Sequence, residues 1–448
     1  TQPTGVRKSK SLSPLTLRFR QQVSEMANAK RKQWDMYRYL WNPYLLNDAL
    51  DGVLRNKGSA GVDRQTVQEV KSRRWEFVKE LSGEIKSGSY QPSATRRVYI
   101  PKAGKGYRPL GIPTIKDRVV QRALCFLMEG IYEQRFHDFS FGFRPQRRAV
   151  DCVAVVAKEV YRHRYILEAD IASFFDQVSH NKLLNLLERE IVDPRVLKLI
   201  SKFLKAGVIE MGKAWEPSRR GTPQGGPLSP LLANIYLHHY LDEKFIKVFG
   251  NTSRVKLYRF ADDFVIIANR VNDLKIARRF LSGWMEEAEL TLKPEKTREV
   301  DMTNKNRGHT SNFEFLGFHF HLRSYKDNPN RFWIARQASC KSRQNLRRRL
   351  KEVSMAHHPP EVVQRRMLLV WRGWNNYFRY SNNNRVVYRE CDSIRRILWR
   401  YLRRKFRRGK KPMPWRKLRI HHQNMRQVFK PVRVIPNHLT YSGQQLAF

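Results

Sequence analysis

The sequence predicts an α+β fold, with short antiparallel hairpins carrying the polar chemistry and helices around and after them. Three observations predict it. Leu257-Tyr258-Arg259-Phe260 and Phe264-Val265-Ile266-Ile267 flank Asp262-Asp263, the pattern of two strands joined by a tight turn. Arg96 to Ile100 and Tyr107 to Ile112, joined by a Gly-containing segment, repeat that pattern with basic residues. In the last hundred residues Ile394, Ile397, Leu398, Tyr401, Leu402 and Phe406 fall on one helical face, with arginines on the other.

Composition narrows the partners. The 448 residues carry 87 Lys+Arg against 40 Asp+Glu, a net charge of +47. Solubility needs no such excess; it creates a field that recruits polyanions. Aromatics at 12% add stacking faces, so nucleic acid is the first expected partner, held with a steep salt dependence. No apolar run reaches the ~18 residues of a membrane span, and no secretory pattern opens the chain. Cys125, Cys152, Cys340 and Cys391 lack CxxC spacing, so neither a zinc site nor a redox motif is indicated. Dispersed thiols fit a reducing compartment.

Taken in order, residues 1 to about 20 are basic with Ser and Pro, and disorder is expected there. From Leu17 to Leu54 apolar residues recur at helical spacing, suggesting two or three helices. Asn56 to Asp63 reads as a Gly-rich loop. After the basic hairpin, Val119, Val120, Leu124, Leu127 and Met128 place Ile115 to Glu133 in an amphipathic helix. Phe141 and Phe143, in Ser140 to Pro145, are expected in the core. Tyr165 to Asp170 is an apolar run ending in an acid, with a helix from about Lys182. Pro223, Gly225, Gly226 and Pro227 forbid helix before Leu228 to Leu241, which reads as one.

The acids carry the chemistry. A turn lets Asp262 and Asp263 approach one cation, and without a cation their proximity is costly. An isolated pair is also what a solvated turn carries, and Asp170 alone reads equally as a helix N-cap. Together, three carboxylates suit hard cations, and two such ions about 3.5–4 Å apart clamp the oxygens of a phosphoryl transfer. Nucleotidyl transfer is the simplest chemistry that uses them.

These segments, with Gly221-Thr222-Pro223-Gln224-Gly225-Gly226-Pro227-Leu228-Ser229-Pro230-Leu231-Leu232-Ala233-Asn234 between them, resemble motifs A, B and C of reverse transcriptases, most closely those encoded by group II introns. The resemblance implies a right-hand polymerase: fingers and a palm with an antiparallel sheet, then an α-helical thumb or maturase domain. The expected divisions are 1–75 (basic extension and template-covering loop), 76–322 (fingers and palm), 323–410 (helical thumb) and 411–448 (basic tail). A C-terminal endonuclease domain with clustered cysteines, common in such enzymes, is expected to be missing. The family's usual Tyr before Ala-Asp-Asp is Phe260 here, which bears on the primer end rather than on the carboxylates.

The resemblance also implies roles. Asp170, Asp262 and Asp263, with the Ile171 carbonyl, would hold two Mg²⁺, with Mn²⁺ as an alternative. Arg96, Lys102 and Arg108 match triphosphate contacts. Phe175 matches a steric gate against the ribose 2′-hydroxyl, Gln224 a border of the nucleotide pocket, and Lys296 a group at the leaving pyrophosphate. Arg144, Arg347, Arg348, Arg395, Arg403 and Arg404 would meet nucleic-acid backbone, and Phe313 to Phe318 the primer. Partners would be intron RNA, RNA template, DNA primer or target and deoxynucleoside triphosphates, in a bacterial cytoplasm or at its nucleoid. The alternatives are a domesticated enzyme of repair, CRISPR spacer capture or phage defence, and a catalytically idle splicing factor.

Overall fold

A computed structural model describes residues 12–29, 35–101, 106–210, 216, 218–250, 254–303, 311–325, 327–328, 332–355 and 358–407. Lys102, His421-His422 and the basic tail lie outside them. The ten described strands are β1 Thr95–Pro101, β2 Tyr107–Ile112, β3 Tyr165–Asp170, β4 Val208–Ile209, β5 Val255–Phe260, β6 Asp263–Ala268, β7 Arg298–Asp301, β8 Asn312–Phe315, β9 Phe318–Ser324 and β10 Phe332–Ala338. They form three sheets, ordered β2-β1-β4, β5-β6-β3-β7 and β10-β9-β8. The chain divides into two compact units.

The first unit comprises Thr1–Pro145, Ile171–Gly250 and Phe280–Leu292. Its spine is the helix Ile115–Tyr132, capped by Thr114 Oγ1 accepting from the Asp117 amide at 3.1 Å. Helices Pro14–Asn28 and Pro43–Arg55 pack against it. The disorder expected through residue 20 does not hold for Pro14 to Arg20, which are helical; the residues before Leu12 lie outside the described ones. Ser13 accepts from the Thr16 amide and Pro14 opens the helix, a start signal the basic composition obscured. The Gly-rich loop is tied down: Arg96 donates twice to the Ala60 carbonyl, at 3.1 and 2.8 Å, and Arg118 to that of Ser59 at 2.6 Å. The helix after motif B extends beyond Leu241. It runs Ser229–Leu237, continues as a π-helical segment His238–Glu243 and ends as Lys244–Phe249.

The second unit comprises Gln146–Asp170, Asn251–Arg279 and Lys293–Phe448. Its four-stranded antiparallel sheet has β6 and β3 in the middle. Both read as near-continuous apolar runs, and Ile166, Leu167 and Phe264 to Ala268 are buried. The helix Ala149–Arg162 packs against β5 and β10. The helical domain begins later than the expected residue 323, because β9 pairs with β10 to Ala338 and helix starts at Cys340. Phe332, Trp333 and Ile334 favour strand in this segment.

Helices Cys340–Met355, Pro360–Phe378 and Asn384–Arg407 then close on Leu346, Leu350, Val363, Met367, Trp371, Ile394, Leu398 and Leu402. They also hold the turn between β8 and β9. Tyr377 Oη donates to the Leu316 carbonyl at 2.9 Å, and Ser342 Oγ to that of Gly317 at 3.1 Å.

Within this bundle Glu390 is fully buried and accepts both Nε and Nη2 of Arg347, at 2.8 and 2.6 Å. Arg347 is thus tied to the bundle by two donors, while its side chain stays 42% exposed. Replacing it with Ala strands a buried charge, and a loss of about 3 kcal/mol in denaturant unfolding of the helical domain is expected. Arg347→Ala with Glu390→Leu should recover most of that.

Candidate active site

The β3–β6 register sets Asp170 directly opposite Asp263, and Phe260 pairs with Asp263 to leave Ala261-Asp262 as a two-residue loop. Directly opposed residues lie about 4.5–5.5 Å apart at Cβ, so all three carboxylates share one end of the sheet. The loop needs a left-handed residue, and Ala261 supplies it with φ 58°. Arg259, fully buried, braces the turn by donating Nη1 to the Ala261 carbonyl at 3.1 Å.

The crowding shows in the titration of Asp263. Burial, then Asp170 and then Asp262 push its carboxyl up to about 7. Lysines answer the charge: Lys293 Nζ donates to Asp170 Oδ1 at 2.6 Å, and Lys296 Nζ to Asp170 Oδ2. Burial draws Lys296 down, but Asp170, Asp263 and Asp262 outweigh it and hold its ammonium above the ordinary lysine value. Among the described residues no three His, Cys, Asp or Glu groups stand at ligand spacing. The Lys293 and Lys296 ammonium groups both hold Asp170. Ile171 bridges Leu292, a pairing that uses the Asp170 carbonyl and the Ala172 amide and not the Ile171 carbonyl.

The expected nucleotide-pocket residues lie in the other unit. The Gly111 amide donates to the Gln224 carbonyl at 2.7 Å, seating the motif B turn on β2. Gly225 sits at φ 126°, and a Cβ there would lie 2.2 Å from the Gly111 carbonyl oxygen, so only glycine fits. Gln224 Oε1 accepts from Arg108 Nε at 2.9 Å. Arg96 bonds elsewhere: its Nε and one Nη2 hydrogen go to the Ala60 carbonyl. Phe174 is buried, while Phe175 is partly exposed. Phe143, expected in the core, is 54% exposed at φ 58° and meets the Phe175 ring edge-on at 6.4 Å.

The expected backbone-binding arginines separate. Arg144 is buried. It pairs with Glu133 at 3.1 Å and donates to the His137 and Ser140 carbonyls at 2.7 and 2.9 Å, fixing its own turn rather than reaching for template. Arg403 and Arg404 line one cleft of about 710 Å³ with Lys351 and Arg400. Arg348 lines a different groove with Arg349 and Trp374. Arg395 pairs with Asp392 at 3.0 Å.

Sequence reasoning passed over Lys293, Arg259, Asp176 and Phe143. Lys293 had a signal, its three-residue spacing from Lys296 beside the carboxylates. For the others the signal is tertiary contact, which one sequence does not display.

Paired carboxylates across the central strands of an antiparallel sheet, with a helical bundle after it, define a right-hand polymerase palm and thumb. Comparison with known proteins gives the particular family. Residues 100–320 match the family described as reverse transcriptase (RNA-dependent DNA polymerase), and residues 343–421 the group II intron, maturase-specific domain. YkfC of Escherichia coli is 36% identical over 266 residues, 52% of this chain and 70% of that protein. The group II intron-encoded protein LtrA of Lactococcus lactis is 36% identical over 267 residues, 59% of this chain but 44% of that protein. Nuclear intron maturase 4 of Arabidopsis thaliana is 23% identical over 234 residues, 52% of this chain and 28% of that protein. The chain belongs to the group II intron reverse transcriptase–maturase family, the RNA-directed DNA polymerases that also serve intron splicing and mobility. No described helix is long and apolar enough to cross a membrane.

Proposed function

We propose that this chain copies RNA into DNA at Asp170, Asp262 and Asp263, and that it binds an intron RNA to assist its splicing and its insertion into DNA. The observation that carries the reading is the pairing of Asp170 with Asp263 across β3 and β6, with Asp262 in the adjoining loop. Reverse transcriptases use divalent metal ions. The oxygen-only donors, the raised Asp263 and the ammonium groups drawn to Asp170 all fit a site built for cations. Two Mg²⁺ held by the three carboxylates and the Ile171 carbonyl would supply charge neutralisation to the attacking 3′-hydroxyl and the leaving pyrophosphate. Of the chain's own groups, Arg108 grips the triphosphate, with Lys102 as its expected partner; Gln224 borders the base and sugar, Phe175 excludes the 2′-hydroxyl, and Lys296 meets pyrophosphate. The cleft of Lys351, Arg400, Arg403 and Arg404 follows RNA phosphates as a row of point charges and forks.

Primer extension on an RNA template with deoxynucleotides tests the reading, with Asp262→Ala as control. Extension by the unmutated chain and none by the variant is expected. No extension by either leaves an RNA-binding splicing factor on an idle palm. Lys293 supplies a second check. Its ammonium competes with cations for Asp170, so Lys293→Met should tighten Mn²⁺ binding, read by paramagnetic resonance without nucleotide, by up to about fivefold, the scale of a partly exposed ion pair.

A further inference from the structure

We infer that Asp176 is a positioning residue for nucleotide binding: its carboxylate fixes the orientation of the Gln224 amide, and through it the direction of the Arg108 guanidinium. This rests on the reading of Arg108 and Gln224 as nucleotide-pocket residues.

The three side chains form a short relay. Gln224 Nε2 donates to Asp176 Oδ1 at 2.9 Å, and Gln224 Oε1 accepts from Arg108 Nε at 2.9 Å. A carboxylate only accepts and a guanidinium only donates, so one orientation of the amide satisfies both neighbours. With an apolar residue at 176 the amide loses that constraint. Arg108 Nε then holds the amide alone, and the flipped orientation, which sets NH₂ against a guanidinium with no acceptor, is disfavoured by one bond instead of two.

The backbone of Gln224 is already fixed by the Gly111 amide, so the side chain's remaining freedom is what Asp176 removes. Arg108 is exposed and enters the relay through Nε alone; its two Nη groups make no hydrogen bond among the described residues. They form the fork that suits a phosphate. An acid beside a site for a triphosphate is costly in Coulomb terms, and orienting the donor that binds the triphosphate offsets that cost. Asp176 and Gln224 also line a polar cavity of about 440 Å³ with Arg97 and Tyr99, so Asp176 faces open space rather than a core that would need it for stability.

Steady-state primer extension with a double-mutant cycle tests this. Asp176→Leu is expected to raise the deoxynucleotide KM about tenfold with kcat within about twofold and the melting temperature unchanged. Asp176→Asn, which keeps an acceptor for Nε2, should recover most of the KM. Gln224→Met should raise the KM by a similar factor, and adding Asp176→Leu to it should change little, because the acid then has nothing to orient. Multiplying losses in the double variant would overturn the inference by showing Asp176 acts on its own. A kcat loss with a lowered melting temperature would overturn it in favour of a structural role. A Gln224→Met chain with unchanged nucleotide KM would instead remove the pocket reading, and the inference with it.

Discussion

Asp263→Asn should abolish primer extension and, in metal-free solution above neutral pH, make the protein more stable. The loss of activity follows from removing one of the three charges proposed to hold the cations, a term of several kcal/mol, so a fall of about 10³-fold or more in kcat is expected. The gain in stability follows from linkage. The Asp263 carboxyl titrates near 7 in the fold, against 3.8 for an ordinary aspartate. Between those values the folded chain binds more protons than the unfolded one, so stability falls as pH rises through that window. Above it, the ionised Asp263 costs on the order of 2–4 kcal/mol, with partial exposure favouring the lower figure. An amide is free of that cost. Melting curves from pH 5 to pH 8 in EDTA should therefore fall for the unmutated chain and stay flatter for the variant. Added Mg²⁺ should stabilise only the former by mass action. Parallel curves for the two proteins would mean that Asp263 does not carry the strain of the cluster.

The second large effect is on sugar choice. Phe175→Val should lower the preference for deoxynucleotides over ribonucleotides about 10²-fold, read as the ratio of kcat/KM values, if, as proposed, the ring excludes the 2′-hydroxyl that alone separates the two sugars. Deoxynucleotide use itself should change little. The structure adds a supporting part. The ring of Phe143, exposed and edge-on to Phe175, would limit how far the proposed gate can yield. Phe143→Ala should relax selectivity in the same direction by about five- to tenfold. Unchanged selectivity in Phe175→Val would take the gate role from this position.

Much of this was legible in one dimension. Strand, turn and acid around Asp262-Asp263 could be read because a period of two and a tight loop leave a local signature. The same holds for the apolar face from Ile394 to Phe406, which the bundle buries at Ile394, Leu398 and Leu402. Both are consequences of where adjacent side chains point, and that needs no knowledge of distant segments.

The arginines were not legible in this way. Arg144, Arg347 and Arg96 carry the same charge as Arg403 and Arg404. The first two pair with Glu133 and Glu390 and Arg96 donates to the Ala60 carbonyl, while the last two line an open cleft with Lys351 and Arg400. The sequence by itself determined the residue types, the order of the motifs and the excess of positive charge. Only the tertiary structure decided that Asp170 faces Asp263, that Lys296 answers them both in charge, and which cations are left for a ligand. Hydrogen bonds and ion pairs between segments far apart in the chain depend on distances that only folding sets.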